Sequence, residues 1–181
     1  KKANYVSIIA MNPNNGEILA MVNAPEFDLN KPYNLNYTTN EKFSSKEKQD
    51  LLNRMWRNQC INDTYEPGST FKVITSTAAL ENNQVTMDTR FSCPGFRIVD
   101  DRRIRCHKTT GHGSENFLQG VMNSCNPVFI DVGLKVGKEK FYEQMRKLGL
   151  MNKTGIDLPG EASTIIHKLK NVGNVELATM S

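Results

Sequence analysis

A Pro-Gly turn at Pro67-Gly68 opens without a linker into Ser69-Thr70-Phe71-Lys72-Val73-Ile74, and this junction constrains the fold more than any other stretch of the chain. Phe71, Val73, Ile74, Thr77, Ala78 and Leu80 follow the three-to-four spacing of a helix with one buried face, so the spacing predicts a helix that starts at Ser69. Ser69 and Lys72 then share a face, one turn apart. A serine hydroxyl needs a base within hydrogen-bond reach to act as a nucleophile at neutral pH. A lysine can be that base when burial or nearby positive charge lowers its pKa. The helix start adds backbone N–H groups and a positive dipole end, which suit a developing oxyanion.

The bare pattern decides nothing. With 10 Ser and 15 Lys in 181 residues, a Ser followed three places later by Lys is expected about once by chance. Ser45-Lys46-Glu47-Lys48 is such an accident, set in the polar run Glu41 to Asp50, a solvated face. Ser69 differs by its context: a turn before it, an apolar helix after it, and a second polar group downstream. That group is Ser124-Cys125-Asn126, a hydroxyl and an amide two apart in an apolar helical segment, where buried polar atoms need partners. Alone, such a pair reads as a helix cap or an interhelical hydrogen bond. Together with Ser69 and Lys72 it fits acyl transfer, which needs a proton relay and an amide to hold the substrate. Ser114-Glu115-Asn116 has the same spacing but sits among loop-forming residues and is discounted.

The remainder reads as one globular domain. A 38% hydrophobic, 23% charged chain of this length can bury a real core, and a net charge of +4 with scattered Lys and Arg makes nucleic acid a weak partner. No run of apolar residues is long enough to span a membrane, and no signal peptide opens the sequence. Tyr5 to Met11 and Glu17 to Val22 predict a hairpin across Asn12-Pro13-Asn14-Asn15-Gly16, apolar on both faces. Asn23 to Asn40 predicts a loop, and polar helix signals follow up to Trp56, itself expected in the core. Val85 to Gly113 reads as hairpin and loop, Asn116 to Val136 as one helical stretch, and Lys138 to Leu148 as an amphipathic helix ended by Gly149. Val175 to Met180 is helical again.

EPGSTFK at 66–72, SCN at 124–126, TGIDLPGE at 154–161, ELATMS at 176–181 and the opening YVSIIAMNPNNGEILAMVNAPEFD at 5–28 together resemble the transpeptidase domain of class B penicillin-binding proteins. The sporulation-type members of Gram-positive bacteria look most similar. The resemblance implies an α/β fold of the penicillin-binding-protein and β-lactamase-like kind, an antiparallel sheet flanked by helices. It implies that residues 1–181 form a single incomplete transpeptidase domain, with the C-terminal sheet strands absent. Ser69 would be acylated by the penultimate D-alanine of a D-Ala-D-Ala stem peptide or by a β-lactam, Lys72 would be the base, and Ser124 and Asn126 would serve proton transfer and substrate holding. The family also needs a Lys-Thr/Ser-Gly triplet on a strand. Lys153-Thr154-Gly155 matches in letters, but it lies between a helix end and a Pro-Gly segment, so it is expected in a surface loop with no catalytic part.

The same resemblance implies peptidoglycan stem peptides and β-lactams as ligands and a cell-wall glycosyltransferase as partner. It places the protein on the outer face of the bacterial membrane, anchored by a segment outside these residues. A 181-residue chain of this kind is expected to be nearly inactive alone and to self-associate through an uncovered sheet edge. The rivals are a β-lactam-sensing receptor or β-lactamase of the same superfamily, and a non-catalytic scaffold module. No organic cofactor and no metal are expected. In a family working outside the cytoplasm, Cys93 and Cys106, 13 residues apart, are candidates for a disulfide. A metal set of Cys93, Cys106, His107 and His112 lacks paired Cys-x-x-Cys spacing and is disfavoured. Cys125 is expected to be a buried small apolar group, Cys60 structural, and His107 and His112 plain loop residues.

Overall fold

The computed structural model describes residues 3–181, which divide into two compact units. The first comprises the chain up to Thr64 together with Ile156–Ala162. It contains strands β1 (Val6–Met11) and β2 (Ile18–Ala24), helix α1 (Ser45–Met55) and the short helix α2 (Gln59–Asn62). The β1–β2 pair is the expected antiparallel hairpin. Gly16 has φ +77 in its connection, a left-handed conformation that costs glycine nothing. Ile8, Ile9, Leu19 and Val22 on its two faces are exposed. Helix α1 starts where Ser44 and Glu47 form a reciprocal capping box, each side chain bonding the other residue's backbone N–H. Ser45 and Lys46 lie exposed on it, as expected of a solvated face. Trp56 departs from expectation: it is half-buried, its indole N–H donates to Pro32 O at 2.8 Å, and its ring meets Tyr33 edge-on. A polar N–H with a nearby carbonyl drew it to the surface loop rather than into the core. Cys60 is half-buried, with its thiol 3.8 Å from Ile8 O and 3.7 Å from Val22 O.

The second unit, Tyr65–Gly155 with Ser163–Ser181, holds the main core. A 3₁₀ turn, Gly68–Phe71, leads into α3 (Lys72–Glu81), followed by β3 (Arg90–Cys93), β4 (Phe96–Val99), β5 (Arg102–Arg105) and β6 (Gly113–Asn116). Helices α4 (Phe117–Met122), α5 (Asn126–Val136), α6 (Lys138–Lys147) and α7 (Asn174–Met180) complete it. Within Val85 to Gly113, read as hairpin and loop, β4 and β5 form the antiparallel hairpin, and β3 pairs antiparallel with β6, which runs on to Asn116. Ser114-Glu115-Asn116, expected in a loop, is strand β6. Helix α5 is the hub. Val128, Phe129, Ile130 and Val132 are buried on several sides because α3, α4, α6, α7 and the β3, β4 and β5 strands all pack on it.

The single helix expected over Asn116 to Val136 is two. Helix α4 ends at Asn123, and the chain restarts at Asn126 after Ser124 takes φ +47, a left-handed value that a β-carbon makes costly by roughly 1–3 kcal/mol. Gly120 lets the halves fold against each other, since a β-carbon there would stand 2.6 Å from Val128 Cγ1. Gly120→Ala should therefore destabilise the protein by about 1–3 kcal/mol through overpacking. The reading is a lower midpoint in urea unfolding at unchanged slope, and an unchanged midpoint would mean that α4 can move off α5 freely.

Candidate active site

Each predicted site residue except Ser69 reaches the same point. Lys72 opens α3 facing inward and is 8% exposed. Its ammonium donates to Asn126 Oδ1 at 2.7 Å, to Ser124 O at 2.8 Å and to Ser124 Oγ at 3.0 Å. Those three acceptors use all three ammonium hydrogens. The amide of Asn126 is fixed from both ends, because its Nδ2 donates to Arg105 O at 2.9 Å while Lys72, which can only donate, requires the oxygen. The broken helix is what makes this possible. In a continuous helix the Ser124 carbonyl would be spent on an intrahelical bond, whereas in the turn it is free to face Lys72. The Phe129 ring lies 5.2 Å from Lys72 Nζ and adds a favourable face for the cation.

Ser69 occupies the 3₁₀ turn and is exposed, one turn before Lys72, and it is not among the acceptors of the Lys72 ammonium. Its carbonyl accepts from the backbone N–H of Lys72, so the backbone ties the two residues together. The predicted helix start at Ser69 thus becomes a tighter 3₁₀ turn, with the α-helix beginning at Lys72. Burial pulls the Lys72 ammonium below the ordinary lysine range, opposed by the negative charge that the Cys106 and Cys125 thiols can carry. Lys153, Thr154 and Gly155 lie exposed in an irregular segment outside any strand, as expected of the loop reading.

The sequence pattern of the penicillin-binding protein transpeptidase domain matches residues 6–181. The chain belongs to the class B penicillin-binding protein transpeptidases. It is 42% identical over 172 residues to stage V sporulation protein D of Bacillus subtilis, covering 94% of this chain and 24% of that protein. It is 32% identical over 158 residues to the peptidoglycan D,D-transpeptidase MrdA of Acinetobacter baumannii, covering 86% of this chain and 23% of the relative. Among solved structures, the penicillin-binding protein PBP2 of Helicobacter pylori superposes with a TM-score of 0.78 at 30% identity, over 95% of this chain and 34% of that one. The chain therefore spans about a quarter of the length of the curated relatives it matches. The fold is that of the family, with helices on small antiparallel ladders. Among the described residues, no helix is long and apolar enough to cross a membrane.

Behind the Lys72 network the structure gathers Cys93, Cys106 and His112, three of the four side chains weighed as a metal set, with Cys125 in place of His107. All four cysteines are free thiols, so Cys93 and Cys106 are not the disulfide considered for them. Cys93, Cys106, Cys125 and His112 converge, with one ligand atom of each within 4.8 Å of every other. His112 is no plain loop histidine, for its side chain is only 9% exposed and its Nδ1 lies 3.7 Å from Cys106 Sγ. Burial pushes the Cys125 thiol up, out of the ordinary thiol range. At Cys93 burial also pushes up, but hydrogen bonds from the His112 and Gly95 backbone and from the Cys125 and Cys106 side chains outweigh it, and the net shift is downward.

Proposed function

We propose that this chain carries the acyl-transfer site of a peptidoglycan D,D-transpeptidase, with Ser69 as nucleophile. The observation that supports this reading is the Lys72 ammonium, held by Ser124 and Asn126 one turn from an exposed serine. With Lys72 in its neutral amine form, Ser69 Oγ attacks the carbonyl carbon of the penultimate D-alanine of a stem peptide, and the serine proton passes to the Lys72 amine, which becomes the ammonium. The bond to the terminal D-alanine breaks as that amine takes a proton, for which the 3.0 Å contact between Lys72 and Ser124 Oγ offers a path. An acceptor amine then attacks the ester, a new peptide bond forms, and Ser69 regains its proton. A β-lactam enters the same first step by opening its ring amide, and it stops at the ester. With Asn126 Oδ1 engaged by Lys72 and one Nδ2 hydrogen on Arg105 O, the second Nδ2 hydrogen remains for a substrate carbonyl.

On this reading residues 1–181 are part of one transpeptidase domain working at the outer face of the bacterial membrane, with stem peptides and β-lactams as ligands and a cell-wall glycosyltransferase as partner. The exposed apolar faces of the β1–β2 hairpin support association with a further strand or a second copy. Among the described residues no strand carries a Lys-Thr/Ser-Gly triplet. The 181-residue chain taken alone therefore acylates far more slowly than the full-length protein. The test is intact-mass spectrometry of the full-length protein after incubation with benzylpenicillin, followed by peptide mapping. The expected result is one adduct per molecule on the peptide that contains Ser69. No adduct, or one confined to another residue, removes Ser69 from the role.

A further inference from the structure

We propose that Arg105 binds a carboxylate of the acyl-donor peptide, upstream of its two D-alanines, so that acidic donors are preferred over neutral ones; this rests on the acyl-transfer reading above. The position comes from one amide. Asn126 Nδ2 carries two hydrogens, and one of them is on Arg105 O at 2.9 Å. A substrate carbonyl on the other hydrogen, at an ordinary hydrogen-bond length and the opening of about 120° of a planar amide nitrogen, stands about 5 Å from Arg105 O. That is about the spacing of neighbouring strands in a sheet. The donor peptide therefore passes alongside the Arg105 main chain, within reach of its long side chain.

The β4–β5 hairpin turns that side chain outward. Its register pairs Phe96 with Arg105, Arg97 with Ile104, Ile98 with Arg103 and Val99 with Arg102. Directly paired residues share a face and successive residues alternate, so Phe96, Ile98, Arg103 and Arg105 lie on one side. Arg97, Val99, Arg102 and Ile104 lie on the other, which is the packed side. There Val99 is buried with Ile130 of α5 and Ala178 of α7, Ile104 packs against them, and Arg97 Nε meets Asp131 Oδ1 at 2.7 Å. The first side is open to solvent: Ile98 is 61% exposed, and Arg103 and Arg105 are exposed.

The charge on that side is uncompensated. Its four residues include two arginines and no acid, and none of the ion pairs among the described residues includes Arg105. The Arg103 guanidinium lies 3.8 Å from the centre of the Phe96 ring and is held there by it. Arg105 keeps its planar fork for a ligand, and a carboxylate is the group that such a fork fits with two parallel hydrogen bonds. Arg103, about 6.6 Å back along the strand, adds a second positive charge on the same side. A carboxylate placed here is drawn to Arg105 while Asn126 holds the neighbouring carbonyl.

Competition in the full-length protein tests this. The rate of benzylpenicillin acylation is followed by intact mass in the presence of acetylated peptides ending in D-Ala-D-Ala, and the slowing gives an inhibition constant for each peptide. The peptides come in pairs that differ only in glutamate or glutamine at one of the two positions before the D-alanines. In the wild type, the glutamate member of at least one pair binds about threefold to tenfold tighter, the range of an exposed ion pair, and added salt shrinks that advantage. Arg105→Gln brings the ratio to about one, Arg105→Lys keeps part of it because the charge stays and the fork is lost, and Arg105→Glu inverts it. Each ratio is read within one variant, so a general loss of acylation cancels from it, and the lysine and glutamine variants change only an exposed side chain. A wild-type ratio near one in every pair, a glutamate advantage that survives Arg105→Gln, or peptides that do not slow labelling at all overturns the inference while leaving Ser69 labelling in place. Absence of any benzylpenicillin adduct in the wild type removes the acyl-transfer reading and this inference with it.

Discussion

Ser69→Ala in the full-length protein abolishes covalent labelling by a β-lactam and leaves the fold intact. The change removes one oxygen from an exposed residue of the 3₁₀ turn, so no buried contact is lost and stability stays within about 0.5 kcal/mol of wild type. The Lys72 network is also untouched, because Ser124 and Asn126 supply its acceptors and Ser69 does not. Loss of labelling can then be assigned to the missing nucleophile rather than to a displaced base. The measurements are intact mass after incubation with penicillin and the thermal unfolding midpoint of the same sample. An adduct formed at the wild-type rate would show that another group is acylated, and a collapsed midpoint would show that Ser69 supports the turn.

Local signals carried the sequence reading furthest. The Pro-Gly turn, the apolar spacing of α3 and the Asn-rich hairpin connection are written within a few residues of where they act, and the structure has each of them. The break at Ser124 is different. Val121, Met122, Cys125 and Phe129 continue a helical spacing through it, and no glycine marks the left-handed residue. The turn is made by tertiary contacts: Gly120 against Val128, the Cys125 N–H on Gly120 O at 2.9 Å, and the Lys72 ammonium on Ser124 O. Propensity gives way to such packing routinely. The same limit explains His112 and Cys125. Each is ordinary in its own stretch, and only the meeting of β3, β5, β6 and the α4–α5 turn puts their ligand atoms beside Cys93 and Cys106. Two Gly flanking a Cys/His-rich loop was the available signal, and it is weak without paired cysteine spacing.

Lys72→Ala lowers the rate of β-lactam acylation about a hundredfold to ten-thousandfold, the usual range for a lost general base, whereas Lys153→Ala leaves it near wild type. The contrast follows from placement, since Lys72 is buried against Ser124 and Asn126 and Lys153 is exposed in an irregular segment. Lys72→Ala also strands three acceptors, so a slow rate alone does not distinguish a base from a structural cation. Lys72→Arg makes the distinction, because a guanidinium still donates to Ser124 and Asn126 but does not give up a proton near neutral pH. A rate as low in the arginine variant as in the alanine variant assigns Lys72 as the base, and recovery toward wild type assigns it to positioning. The pH profile supplies the sign. A lysine acts as base only when neutral, so acylation rises with pH through its pKa, and burial sets that rise below the range of a solvated lysine. Equal loss of rate from Lys72→Ala and Lys153→Ala would place Lys153 in the catalytic machinery and overturn its assignment to a surface loop.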